Sequence, residues 1–216
     1  GAAPFVKRFL GSEEYINGIE RYCLWLAEAT PAQIRVLPLV LKRVEAVRRF
    51  REASTAAPTR QAAQTPTRFF FESQPTKEYI LVPEVSSERR TYIPIGLMSA
   101  DVISSNKNYL IGEPNVFVLG ILQSMMHMAW MRTVGGRLKS DYQYSASMVY
   151  NTFPWPEVTE KHSAAIEKAT RTVIETRAKY PDSTLADLYD PLTMPGPLTK
   201  AHVALDQAVD AAYGRT

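Results

Sequence analysis

A single long apolar stretch constrains this fold more than any other part of the sequence. NVFVLGILQSMMHMAWM, residues 115–131, is shorter than the roughly 20 apolar residues of a bilayer-spanning helix, and it includes Gln123, Ser124 and His127. A helix this apolar must be covered by the rest of the protein. The stretch therefore predicts a buried helix over about 116–132, stopped by the glycine pair that follows.

Short strands are predicted on both sides of this helix. RFFFES, YILVP and TYIPIG, all before it, are aromatic and β-branched runs separated by Pro, Gly and Ser, and residues 101–104 and 109–111 add two more. After the helix, KSDYQYS and residues 147–150 predict further strands. We therefore predict an α+β fold in which a mixed, β-rich domain is built around the buried helix.

Helices are predicted at both ends of the chain. The sequence Thr30-Pro31-Ala32-Gln33 predicts a helix start, Pro38 begins a second helix with a basic face, and residues 54–67 resemble a linker. Helical patterns return after residue 157. We predict a helical connector over 1–66, a strand-rich domain over 67–156 and a C-terminal helical region over 157–216.

Composition and charge leave several classes of partner open. The chain has 216 residues, is 45% hydrophobic and 22% charged, and carries a single cysteine, Cys23, which fits a reducing compartment. A net charge of +3 does not by itself indicate a nucleic-acid partner. Residues 31–60, however, hold seven basic side chains against two acidic ones. This predicts either a phosphate-facing surface or a solvated helix face rich in arginine.

Motifs for catalysis and metal binding are missing from the sequence. His127, His162 and His202 fall in predicted helices without a partner His or Cys at metal-ligand spacing. No glycine-rich phosphate loop follows a strand, and there is no nucleophile elbow. We expect no catalytic residue and no metal site in this chain.

The stretch GRLKSDYQYS, residues 136–145, predicts a binding surface. In one extended strand, Lys139, Asp141 and Gln143 share a face. Lys donates to guanine O6 and N7, Asp accepts from cytosine N4, and Gln pairs with adenine N6 and N7. A solvated strand whose lysine and aspartate neutralise one another is the alternative.

Neighbouring loops offer further polar side chains. Arginines in or beside these loops are candidates for phosphate contacts: Arg89, Arg90, Arg132 and Arg137. Asn106 and Lys107 lie in an amide-rich loop that suits either base edges or simple turn chemistry. Solvated loops are the alternative for all of these residues.

Several long motifs carry a family resemblance. SEEYINGIERYCLWL, VSSERRTYIPIG, MMHMAWMRTVGGRLKSDYQYS, VYNTFPWP and the ending LTKAHVALDQAVDAAYG resemble the region after the methyltransferase domain in type IIL (MmeI-like) restriction–modification enzymes. The resemblance spans nearly the whole chain. It implies the target-recognition domain and C-terminal helical region of a polypeptide that also joins a nuclease and an S-adenosylmethionine-dependent adenine-N6 DNA methyltransferase.

The family's catalytic motifs are absent from this sequence. It contains neither the cofactor-binding glycine motif, nor an Asn-Pro-Pro-Tyr-type motif, nor the nuclease signature, and it opens with Gly1 in place of Met. We therefore expect a fragment without cofactor or catalysis, taken from a bacterial cytoplasmic methyltransferase with or without endonuclease activity. S-adenosylmethionine would bind the missing methyltransferase domain, and Mg²⁺ would serve a nuclease if the parent has one.

The resemblance also implies roles for individual residues. Lys139 and Asp141 match a pair that specifies one base pair, in an order that fits guanine on one strand and its cytosine on the other. Gln143 matches a further reading position, and Glu84, Asn106 and Lys107 fall near two more. The partners implied are double-stranded DNA and the parent's methyltransferase domain, with no membrane.

The sequence suggests three possible functions for this chain. The leading hypothesis is a sequence-specific double-stranded DNA recognition module. The alternative is a protein-interaction module that docks onto another subunit or domain without reading bases. A self-sufficient enzyme is disfavoured by the missing motifs.

Overall fold

The computed structural model describes residues 1–214, which form two compact units. The first unit comprises Gly1–Leu10, Glu20–Gln74 and Asp101–Ser105. The second comprises Gly11–Ile19, Pro75–Ala100 and the chain from Asn106 onward. Both units combine helices with small sheets, and the predicted α+β class is confirmed.

The elements are short, apart from a few helices. The strands are β1 (Val6–Leu10), β2 (Tyr22–Leu24), β3 (Tyr79–Pro83), β4 (Val85–Ser86), β5 (Gly96–Met98), β6 (Val102–Ser104), β7 (Asn108–Gly112), β8 (Gly136–Leu138) and β9 (Asp141–Gln143). The α-helices are α1 (Ser12–Asn17), α2 (Pro31–Arg35), α3 (Pro38–Glu52), α4 (Ala57–Gln61), α5 (Val116–Leu122), α6 (Met125–Val134), α7 (Glu160–Arg177), α8 (Leu185–Leu188) and α9 (Gly196–Ala212). In the described residues the strands form three sheets, in the orders β2-β1-β6, β5-β3-β7 and β4-β9-β8.

The first unit packs helices α2 and α3 around a small core of Leu26, Ile34, Val40 and Val44. The predicted start of α2 is confirmed, because Thr30 accepts from the backbone of Gln33 in a capping box. Strands β1 and β2 were not predicted in this part of the chain. The segment VKRFL, which forms β1, contains two charged residues and shows no clear strand pattern. Its pairing with β2 and β6 identifies it as a strand.

The second unit is built around the buried helix α5. Leu119, Ile121 and Leu122 are at most 1% exposed, so the prediction of a buried apolar helix is confirmed. Strand β3 and helices α6, α7 and α9 contribute to the same hydrophobic core, which extends from Ile80 to Val209. The C-terminal helices therefore share a core with the strand-rich part of the chain.

The apolar stretch forms two helices, and the prediction of one continuous helix is wrong. Ser124 lies between α5 and α6, where its side chain accepts from the backbone N–H of His127 and caps the second helix. Gln123 donates from Nε2 to the carbonyl of Ile95 at 2.6 Å. Ser124 Oγ also donates to the carbonyl of Ile121 at 2.7 Å, so its side chain binds both the end of α5 and the start of α6.

Three predicted strands and the predicted linker differ in the structure. RFFFES forms no strand, because Glu72 closes a local turn by accepting from the backbone of Phe69 at 3.0 Å. TYIPIG enters a strand only at Gly96. Residues 147–150 lie in a π-helical turn capped by Ser145, and residues 54–67 contain α4.

Helices α5 and α7 touch at Gly120. A Cβ placed there would clash with Thr170 Oγ1 and lie 2.9 Å from Ile166 Cγ2. Alanine in a helix interior ordinarily stabilises by about 1 kcal/mol relative to glycine. We expect Gly120→Ala to destabilise the chain instead, by about 1–3 kcal/mol, because the two helices must move apart.

Urea unfolding measures this effect, with Gly196→Ala as the matched control. Gly196 begins α9, and a Cβ there meets no atom within 4 Å. A stability increase for Gly120→Ala comparable to that of the control would contradict the close helix contact.

Two buried histidines make stability depend on pH. His127 and His202 each lie 3.0 Å through Nε2 from a tyrosine hydroxyl, and both are fully buried. Burial lowers the pKa of His127 to about 4; burial, with the nearby Arg177, lowers the pKa of His202 to about 3. The folded state therefore holds the neutral rings, and below the unfolded pKa of about 6.5 protons favour the unfolded chain.

We expect full stability above about pH 6.5 and a loss on the order of 1–2 kcal/mol per histidine at pH 5. Denaturant titrations at both pH values should show a weaker pH dependence in His127→Gln and His202→Gln. His162→Gln, in α7, controls for the loss of one imidazole. Unchanged pH dependence in both test variants would refute this account.

Candidate nucleic-acid interface

The predicted reading strand is a hairpin. β8 and β9 pair with Leu138 opposite Asp141, so Lys139 and Ser140 form the turn between them. Lys139 has φ +57°, a left-handed backbone conformation. The prediction of one extended row is wrong for Lys139, which stands at the exposed tip. Asp141 and Gln143 share one face of β9, as predicted, and Tyr142 faces the other way.

Two predicted phosphate ligands hold the opposite face of the hairpin. Tyr142 is buried, and the guanidinium of Arg137 lies 4.2 Å from its ring centroid. Arg132 donates from Nε to the Tyr142 hydroxyl at 3.1 Å, and Arg137 donates to the carbonyl of Ser140 at 3.0 Å. Arg132 lies against the hairpin, Arg137 belongs to its strand β8, and both side chains are exposed.

Three predicted base-reading residues meet around one carboxylate. Gln143 donates from Nε2 to Glu84 Oε1 at 3.3 Å, and Lys107 Nζ lies 3.6 Å from Glu84 Oε2. The backbone joins the same residues, since Glu84 N donates to the carbonyl of Lys107 at 3.1 Å. Asn106 is exposed in the loop beside them. We call the set Glu84, Lys107, Lys139, Asp141 and Gln143 the reading surface.

Asp141 and Arg90 line a cleft of about 380 Å³ together with α1. Asp141 Oδ1 accepts from the backbone of Glu88 at 3.3 Å, which ties the arginine loop, residues 87–90, to the hairpin. Burial lowers the pKa of the Arg90 guanidinium, while Asp141 and Asp190 oppose that shift. Arg89 is more exposed and forms a surface ion pair with Asp190 at 3.6 Å.

Sequence reasoning missed the contribution of α1. Ser12 donates from Oγ to the carbonyl of Lys107 and accepts from Glu84 N at 3.2 Å. Glu13 and Asn17 line the same cleft as Asp141. The available signal was the helix start at Gly11-Ser12, where Glu14 accepts from Gly11 N, but nothing in the sequence linked it to residues almost 100 positions away.

Helix α3, whose basic residues were predicted to form either a phosphate-facing surface or a solvated face, has partners within the first unit. Arg49 lies 3.3 Å from Glu45, and Arg48 lies 3.8 Å from the same carboxylate. Arg51 donates to the carbonyls of Ala62, Thr65 and Arg68. Arg51 thus holds the segment after α3, whereas Arg48 and Arg49 stay largely exposed on the helix.

The reading surface offers both donors and acceptors to a ligand. Two ammonium groups, two carboxylates and an amide lie on this surface, and the contacts among Glu84, Lys107 and Gln143 limit the conformational freedom of those three side chains. No cluster of His, Cys, Asp or Glu suited to a metal ion occurs among residues 1–214. Such a surface suits polar recognition.

The Tyr142 contacts generate a stability prediction. Tyr142→Phe keeps the ring under Arg137 but removes the hydroxyl that accepts from Arg132, so we expect a loss of about 0.5–1.5 kcal/mol. Tyr142→Ala should lose more, because the buried ring is also removed. Urea unfolding of both variants tests the ranking, and equal losses would show that the ring contributes nothing.

Comparison with known proteins gives matches over the entire chain. The family model for the MmeI target recognition domain matches residues 1–157, and that for the MmeI C-terminal domain matches residues 158–216. DNA methyltransferase A of Bacillus subtilis (strain 168) is 47% identical over 210 residues, which cover 97% of this chain and 24% of that protein.

A solved structure matches as well. The type IIL restriction–modification enzyme MmeI, in complex with DNA, aligns with a TM-score of 0.96 and 52% identity, over 100% of this chain and 29% of that chain. This chain thus spans between a quarter and a third of the solved protein and about a quarter of the curated relative.

Proposed function

The chain belongs to the MmeI family, and on that premise we propose that it reads the sequence of double-stranded DNA for a longer adenine-N6 DNA methyltransferase of the restriction–modification type. The observation that carries this proposal is the convergence of Lys107, Glu84 and Gln143 within 3.6 Å beside the Asp141 hairpin. Base edges in the major groove present a matching pattern of donors and acceptors.

Lys139 and Asp141 would read one base pair from the end of the hairpin. The exposed ammonium group of Lys139 at the tip can donate to guanine O6 and N7. Asp141 uses Oδ1 for the backbone of Glu88, and its second oxygen can accept from cytosine N4. Each such contact contributes about 1–3 kcal/mol of discrimination between bases.

The other predicted residues would support this reading. Arg89, Arg132 and Arg137 are exposed and suit phosphate contacts, whereas the half-buried Arg90 shapes the cleft beside Asp141. Gln143, Glu84, Asn106 and Lys107 would read neighbouring positions. Because these arginines would contact phosphates, the affinity for DNA should fall as the salt concentration rises.

The remaining chemistry belongs to the rest of the parent protein. S-adenosylmethionine would bind its methyltransferase domain, whose motifs this sequence lacks. No helix of the described chain is both long enough and apolar enough for a bilayer span. We place the parent in the bacterial cytoplasm, where its DNA substrate lies.

Exchanging two charges in the full-length parent tests the proposal. The double substitution Lys139→Glu with Asp141→Arg reverses the donor and acceptor order, so we expect a different preferred base at one position of the methylated site. The preference for the original base should fall about 10- to 100-fold. Mapping methylated adenines across a host genome measures this directly.

A matched control exchanges another neighbouring pair. Lys77→Glu with Glu78→Arg reverses two exposed charges that precede β3 and should leave the methylated sequence unchanged. If the variant at 139 and 141 stays active and methylates the original sequence, the assignment of these two residues is wrong.

One observation favours the alternative, a protein-interaction module without base reading. The first unit exposes Val36, Leu39 and Phe50, each at least 76% accessible, and Phe50 also lines an apolar cleft of about 790 Å³. Such a surface is typical of a protein interface, and we propose the parent's methyltransferase domain as its partner. If substitutions of Lys139 abolish methylation and none of them changes which DNA sequence is methylated, a protein-interaction module without base reading is favoured.

A further inference from the structure

Asp206, in the C-terminal helix α9, binds two separate parts of the second unit. Its Oδ2 accepts from the hydroxyl of Tyr92 at 2.6 Å, and its Oδ1 accepts from the backbone N–H of Met125 at 2.7 Å. Tyr92 is 5% exposed, and Met125 is the first residue of α6. One carboxylate therefore fixes Tyr92 relative to the start of α6.

Helix α9 also holds the ring of Tyr92. His202 precedes Asp206 by four residues, so the two lie on the same face of the helix. The imidazole of His202 stacks on the Tyr92 ring, with centroids 4.1 Å apart and planes 23° from parallel. Both the ring and the hydroxyl of Tyr92 are thus set by α9.

Both partners of Asp206 lie close along the chain to parts of the proposed site. Tyr92 lies two residues after the arginine loop, and the intervening carbonyl of Thr91 accepts from Arg132 at 3.3 Å. Helix α6, which begins at Met125, carries Arg132 and ends at Val134, just before β8. A change at Asp206 can therefore alter the spacing between the arginine loop and the hairpin.

We propose that Asp206 is a positioning residue for sequence reading, which acts through Tyr92 and α6 to fix the arginine loop against the β8–β9 hairpin. The inference rests on the proposed function and assigns the C-terminal helices a part in specificity. Burial raises the pKa of Asp206, and the hydrogen bonds from Tyr92 and Met125 oppose that shift. These bonds thus stabilise the charged carboxylate in a partly desolvated position.

The test uses Asp206→Asn in the full-length parent. Asparagine has the same shape but presents an N–H group to one of the two donors, so one hydrogen bond is lost. We expect the ratio of kcat/KM for the methylated site to that for a single-base variant site to fall about tenfold, measured well below the unfolding temperature. A purely structural role would lower Tm without changing this ratio in the folded enzyme.

Two further variants keep the test decisive. Tyr92→Phe retains the ring on His202 but removes the donor, so it should lower the same ratio even if Asp206→Asn does not fold. Asp210→Asn removes an equal charge one turn further along α9 and should leave the ratio at its original value.

The outcomes separate this inference from the proposed function. If charge exchange at Lys139 and Asp141 shifts the preferred base while Asp206→Asn and Tyr92→Phe keep the original ratio, sequence reading stands and the role of Asp206 is overturned. If the charge exchange changes nothing either, both proposals are overturned. A reduced ratio in Asp206→Asn and Tyr92→Phe, together with an unchanged ratio in Asp210→Asn, supports the inference.

Discussion

The close contact between α5 and α7 is the constraint on which the second unit depends. Only a glycine at position 120 lets the two helices approach, with Thr170 and Ile166 filling the space that a side chain would occupy. The core around α5 draws on strand β3 and on helices from the C-terminal region. Because this core is continuous, the strands that carry the reading surface rest on a scaffold completed by the last 60 residues.

The family models divide the chain at residue 157, but the packing does not stop there. Asp206, His202 and Arg177 all contact residues of the strand-rich part: Arg177 donates to the carbonyl of Ile95 at 2.7 Å, and the other two hold Tyr92. A sequence family boundary marks where related chains can be aligned. In this chain it does not mark the edge of a separately buried core.

Sequence patterns predicted the elements whose signals are local. The buried helix, the capping box at Thr30 and the proline start of α3 follow from a few neighbouring residues, and the structure has all of them. The break at Ser124 was missed because the apolar pattern runs through it, and the structure marks it by the Ser124 cap of α6 and by the Gln123 bond to Ile95. RFFFES was predicted as a strand from its aromatic composition. The hydrogen bond from the backbone of Phe69 to Glu72, which closes a turn there, was not apparent from the sequence.

The candidate site was predicted in composition but not in geometry. Residue types and resemblance singled out Lys139, Asp141 and Gln143, yet the turn at Lys139 carries no glycine or asparagine to reveal it. The meeting of Glu84 with Lys107 and Gln143 depends on strand pairing between distant segments. The role of Ser12 could not be foreseen for the same reason, since its partners lie more than 70 residues away.

The left-handed backbone at the hairpin tip restricts which side chains can replace Lys139, the proposed reading residue. Valine, isoleucine and threonine are poorly tolerated at such φ values, because their branched Cβ collides with the main chain. Unbranched side chains fit there at modest cost, and their length sets how deep into a groove they reach. Diversification at this position should therefore proceed by exchange among flexible polar residues, with the supporting strands left unaltered.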